Sequence, residues 1–196
     1  MMSHRNLAIF SSLALAAALC FISTTKTFAQ YERKNVRYGV SFDLPLNTNE
    51  ASPINCDLEA FNTMYGNFCV KVFPLKDFYG KDKTVMQWAE RYSRNRKMWK
   101  SLDTTAKTVL KQLTVLDNLN PVHGVNTSFK KIGRYEAYSI TFMKTTEAGQ
   151  YSGECIGIII PDKSLFVKAI HYMPEEYLDE EAQKIRKHFF ESLKVR

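Results

Sequence analysis

The 196-residue chain carries little with which to do chemistry: four histidines, four cysteines and two tryptophans. His123, His171 and His188 stand far from one another and from every cysteine, so no metal-ligand spacing is present and no metal or other cofactor is expected. A Gly-x-Ser-x-Gly nucleophile elbow is missing. Gly153 and Gly157 are remote from any helix start and form no phosphate cradle. Cys155, between them, falls in an apolar run where a buried thiol is inert. Its neighbour Glu154 is expected to face solvent or to pair with a lysine. An enzyme would need His123, His171 and Glu154 to converge in one cleft, and a non-enzymatic protein is the expectation. No internal repeat, low-complexity tract or Pro/Gly/Ser linker divides the chain, which predicts one core.

What the chain does have begins at its start. A short polar stretch with His4 and Arg5 precedes an apolar run from Leu7 to Ile22, and a polar tail ends in Thr27-Phe28-Ala29. That order predicts a cleavable export signal over residues 1–29, with Ala29 at the cleavage site, and a single domain over 30–196. The run is near the lower limit for a membrane span of about 20 residues, so retention as an anchor is the alternative and no other transmembrane segment is expected. Cys20 follows the run as in lipid-modified exported proteins, but Leu19 stands where those sites carry a small residue. Cys20 is therefore read as one apolar residue among many. A periplasmic or secreted protein is the prediction.

Removing the signal takes away Arg5 and Lys26 and leaves 25 basic against 20 acidic side chains. That excess favours contact with anionic surfaces or acidic partners and is too diffuse for nucleic acid. Three cysteines remain, and an oxidising compartment permits one disulfide. Cys56 and Cys69 bracket a short segment with Asn62, Gly66 and Asn67, and closing it is the favoured pairing. Cys69 with Cys155 is the competitor, because both fall in predicted strands.

Apolar residues alternate from Val36 to Leu44 and again from Phe68 to Phe73, which predicts two half-buried strands ended by Pro45 and Pro74. After Thr84, residues Val85, Trp88, Ala89, Tyr92 and Trp99 recur at helical spacing. A second helix is predicted from Asp103 to Leu113, and a loop from Asn118 to Asn126. Four strands follow, Thr127 to Ile132, Arg134 to Lys144, Tyr151 to Ile160 and Leu165 to Tyr172, joined by short turns. Pro174 and Glu175 then open a terminal helix whose stripe of Leu178, Ala182, Ile185, Phe189 and Leu193 should pack on the sheet. The class expected is α+β: an antiparallel meander of about five or six strands packed against a C-terminal helix and one or two middle helices.

The first middle helix carries Arg91, Arg94, Lys97 and Lys100 on one face, the partner-binding surface that the sequence offers. Fixed cations on a rigid helix hold anionic groups without rearrangement. Asn126-Thr127-Ser128 matches a glycosylation acceptor, which matters only in a eukaryotic secretory route.

In this order the elements resemble the PsbP-like fold, shared by the extrinsic PsbP protein of photosystem II, nuclear Ran-binding relatives and bacterial DcrB-type exported proteins. The resemblance is carried by Tyr38-Gly39-Val40-Ser41-Phe42-Asp43-Leu44-Pro45, the helix around Trp88, Ile132-Gly133-Arg134-Tyr135-Glu136-Ala137-Tyr138 and the closing Glu191-Ser192-Leu193-Lys194. It implies a non-enzymatic binding or assembly module acting through protein contacts in the cell envelope or outside it. A carrier of a small apolar ligand or lipid is the alternative.

Overall fold

The computed structural model describes residues 29–53, 56–78, 104–114 and 122–196. The chain divides into two units, Met1–Gln30 and Tyr31–Arg196, and the elements among the described residues belong to the second. Strands β4 (Leu58–Asn62), β5 (Gly66–Pro74), β6 (Val122–Ile132), β7 (Tyr135–Thr146), β8 (Gly149–Ile160) and β9 (Leu165–Pro174) join β3 (Asn49–Glu50) in an antiparallel sheet. Its order is β3-β4-β5-β9-β8-β7-β6. A second sheet orders β1 (Tyr31–Asn35), β2 (Val40–Pro45) and β10 (Lys194–Val195) as β1-β2-β10.

This overturns the expected α+β meander of five or six strands with one or two middle helices. Among the described residues the protein is mostly β, with ten strands in two antiparallel sheets against two α-helices, α1 (Thr104–Leu113) and α2 (Glu180–Glu191). Of the strands that sequence reading overlooked, β4 alternates but only over five residues, with Leu58 and Ala60 as the apolar residues of its buried face, and the others lack a period-two signal. β1 is Tyr-Glu-Arg-Lys-Asn, and β3 and β10 are two residues each. The run from Val36 is broken where Tyr38 and Gly39 adopt positive φ of 54° and 76°, so it folds back as a hairpin between β1 and β2. Of the loop expected from Asn118 to Asn126, the described part, Val122 to Asn126, belongs to β6. Gly124, at φ 58°, marks a register shift between His123 and Asn126, a bulge and not a strand end. The predicted export signal, Cys20 and the helix around Trp88 lie outside the described residues.

Each face of the large sheet has its own cover. On one, Phe42 of β2 and Phe68 of β5 meet Phe189 of α2, with ring centroids 5.1 and 5.0 Å apart. Ala182, Ile185, Phe189 and Phe190 of α2 are buried, and the Asp179 carboxylate caps the helix by accepting from the Ala182 amide at 2.8 Å. The other face collects Tyr138, Ile140, Phe142, Cys155, Ile159 and Phe166 around Leu75 and Leu110 of α1. β9 and the second half of β8, from Cys155 to Ile160, are buried on both sides and read as near-continuous apolar runs. Two glycines of β8 make room. A Cβ at Gly153 would lie 2.2 Å from the Phe142 ring, and one at Gly157 would lie 1.9 Å from Thr114 Oγ1, at the end of α1.

The disulfide joins Cys56 to Cys69, the favoured pairing. The Cys69–Cys155 alternative fails on geometry. Both residues pair with Ile170, one from each side of β9, so two strand spacings separate them. That is about 9.5 Å, beyond the roughly 7 Å that a disulfide tolerates between Cα atoms.

Candidate functional site

Along β8 the side chains of Ser152, Glu154 and Ile156 alternate onto the face that α2 covers, and the ladder sets Glu154 directly beside His171 of β9. α2 crosses this row, and its Arg186 reaches down between the two strands. Arg186 Nε donates to His171 Nδ1 at 2.9 Å, and its terminal nitrogens donate to the Ser152 carbonyl at 3.0 Å and the Ser152 hydroxyl at 3.4 Å. His171 Nε2 donates to the carbonyl of Tyr65, in the β4–β5 turn, at 2.6 Å. Glu154 Oε1 accepts from Lys130 of β6 and from the Ser139 hydroxyl of β7, the latter at 2.5 Å.

These contacts set the protonation of the row. Burial, together with the neighbouring Arg186 guanidinium, pushes the His171 pKa down to about 3 against the smaller opposing pull of its bond to Tyr65. The imidazole is neutral, with its proton on Nε2 and its lone pair taken up by Arg186. Burial also lowers the Arg186 pKa, and the negative charge of Glu154 opposes that shift. The arrangement is a part-buried network in which Arg186 bonds to His171 and Ser152 and is joined to Glu154 by charge attraction.

Outside the network the gap between α2 and the β6 edge opens into a cleft of ≈ 370 Å³ lined by Lys130, Lys131, Ile132, Leu178, Arg186, Lys187 and Phe190, together with Glu154, Gln183 and Glu191. Four cations face two carboxylates there. The cation of Lys130 also lies 5.1 Å from the Phe190 ring centre. Such a cleft suits an anionic group with an apolar neighbour.

Glu154 and His171 are brought together as the sequence singled them out, and Glu154 pairs with a lysine. His123 is elsewhere, exposed on β6 opposite Met143. His188, on α2, stacks on Tyr31 at 3.9 Å with Nε2 3.3 Å from Asp43 Oδ2. Arg91, Arg94, Lys97 and Lys100 lie outside the described residues. Lys130, Ser139, Ser152 and Arg186 are the members of the site that sequence reading missed. The one signal for them was spacing, since Arg186 stands four residues after Ala182 and four before Phe190, both of them buried. Among the described residues no group of three or more metal-ligating side chains occurs, and no helix is long and apolar enough to cross a membrane.

The fold is similar to a crystal structure from Bacteroides thetaiotaomicron VPI-5482, with a TM-score of 0.52 and 14% identity over 85% of this chain. This chain spans about half of that protein, 49%. Two looser matches are LpqN, involved in cell envelope biogenesis of Mycobacterium tuberculosis, and the Ran-binding protein Mog1p of Saccharomyces cerevisiae. Their TM-scores are 0.46 and 0.48, each at 9% identity over 85% of this chain, covering 90% and 96% of theirs. No family model and no curated protein matches the chain. The PsbP-like resemblance therefore rests on the sequence pattern alone.

Proposed function

We propose that this protein is an exported, non-enzymatic binding module that holds an acidic segment of a protein partner in the cleft between α2 and the β6 edge. The observation that carries the reading is the excess of positive charge at that cleft: Lys130, Lys131, Arg186 and Lys187 around an apolar floor of Ile132, Leu178 and Phe190. A preformed row of cations favours acidic partners and speeds encounter with them. The non-enzymatic part is supported by His171, whose two ring nitrogens are both engaged and which is neutral above about pH 3. Export is read from the first 29 residues and supported by the Cys56–Cys69 bridge, which an oxidising compartment sustains.

The test is capture from the cell envelope with crosslinking, comparing the native protein with a Lys131→Glu, Lys187→Glu double variant. Both lysines are exposed, so the fold should survive. A partner retained by the native protein in low salt and lost by the variant is expected. No partner above background in low salt and after crosslinking would refute the reading. The apolar floor favours a second reading, a carrier of a small apolar ligand; native mass spectrometry showing only bare protein after gentle purification would argue that away.

A further inference from the structure

β6 is the long edge of the large sheet: eleven residues, pairing only with β7 among the described residues, and exposed along most of its length. A free edge of this length is a template for another strand. Which backbone groups it offers follows from the turn that ends it. Ile132 and Tyr135 are paired across the two-residue turn Gly133-Arg134. In such a hairpin the pair next to the turn exchanges hydrogen bonds, and alternation then aims the N–H and C=O of Thr127, Phe129 and Lys131 away from β7.

The charge beside this edge is positive in excess, with four cations against two carboxylates in the cleft. On the α2 face stand Lys130 and the cleft; on the α1 face Phe129, 36% exposed, lies against Tyr138 under Lys107 and Lys111, whose ammonium groups are 5.3 and 5.6 Å from its ring centre. β6 itself contains no acidic residue. A second copy pairing edge to edge would gather the same lysines with no carboxylate on either strand to oppose them, so self-pairing is disfavoured. An acidic strand meets cations on both faces.

We infer that the partner adds an acidic, extended segment to β6 as an eighth strand of the large sheet, bonded through Thr127, Phe129 and Lys131. The inference rests on the reading of the cleft as a site for an acidic partner and specifies how that partner is held. The added backbone supplies affinity, and its alternate side chains reach the α2 cleft on one face and the Phe129 platform on the other.

The probe is a synthetic Glu-Val repeat peptide of about ten residues, enough to span β6 at about 3.3 Å per residue. Controls are a Lys-Val repeat, the Glu-Val repeat N-methylated on alternate residues, and phosphatidylglycerol vesicles. Amide exchange of the purified protein is followed by NMR. The Glu-Val peptide should bind and slow exchange at Thr127, Phe129 and Lys131 by at least about tenfold. Thr127→Pro removes an outward N–H without breaking the β6–β7 ladder, and it should weaken binding by a similar factor at an unchanged melting temperature. N-methylation of the peptide should do the same with no change to the protein.

Binding that leaves those amides unprotected and tolerates both the proline and N-methylation would overturn strand addition while leaving an acidic ligand in the cleft. Vesicle binding without peptide binding would overturn it in favour of a lipid surface. A concentration-dependent dimer that protects the same amides without peptide would overturn it in favour of a second copy. Failure of every anionic probe would remove the cleft reading as well.

Discussion

Replacing His171 with glutamine tests the buried row directly, because glutamine can donate to the Tyr65 carbonyl and accept from Arg186 but cannot titrate. In the folded protein His171 has its pKa pushed to about 3, against an ordinary 6.5 in the unfolded chain. The folded value is the lower one, so the unfolded state binds the proton first. The contribution to stability is therefore fully present above about pH 6.5 and is lost as pH falls toward 3. Linkage gives a loss of about 2 kcal/mol near pH 5, about 3 kcal/mol near pH 4 and a limit of about 5 kcal/mol below the folded pKa. Against a total stability of roughly 5–15 kcal/mol for a domain, that limit is large. Urea titrations of native protein and His171→Gln at a series of pH values read it out: the native curve should fall away from the variant's below about pH 6.5. Parallel curves down to about pH 4 would refute the account, since they would mean that His171 takes up its proton without breaking the bond from Arg186.

Phe189 is completely buried against Phe42, Phe68 and Phe190, so Phe189→Ala should cost about 3–5 kcal/mol in chemical denaturation, and an unchanged melting temperature would contradict the packing of α2. Gly157→Ala drives a methyl into Thr114, and a loss of about 1–3 kcal/mol, partly recovered by adding Thr114→Ala, is the expected calorimetric result. Reducing the Cys56–Cys69 bridge should lower stability by about 3 kcal/mol on the loop-entropy model, and peptide mapping of the unreduced protein should find Cys155 outside any disulfide.

The sheet-forming stretches in the second half were legible because a buried strand advertises itself. β7, β8 and β9 lie within one to a few residues of the runs read from alternation, and Ala182, Ile185 and Phe189 of the terminal stripe are buried as their spacing required. Among the elements that were not legible, two have a definite reason. β1 is polar because, among the described residues, β2 alone pairs with it, on the edge of a small sheet, so it has no apolar face to display. The start of β6 carries Gly124, which signals a turn to any local reading and here absorbs a bulge.

By itself the amino-acid sequence determined the period of each central strand, the apolar stripe of α2, the short Cys56–Cys69 closure and a basic surplus, since each of these depends on residues close together in the chain. Only the tertiary structure decided that Lys130, Ser139, Glu154, His171 and Arg186 meet. They come from four strands and a helix, and the contacts among them arise from strand pairing and helix packing, which bring together residues 15 to 24 positions apart without leaving any local pattern. The same packing produced the ten strands and the mostly β architecture of the described residues, because edge strands owe their conformation to the neighbour they pair with and not to their own side chains.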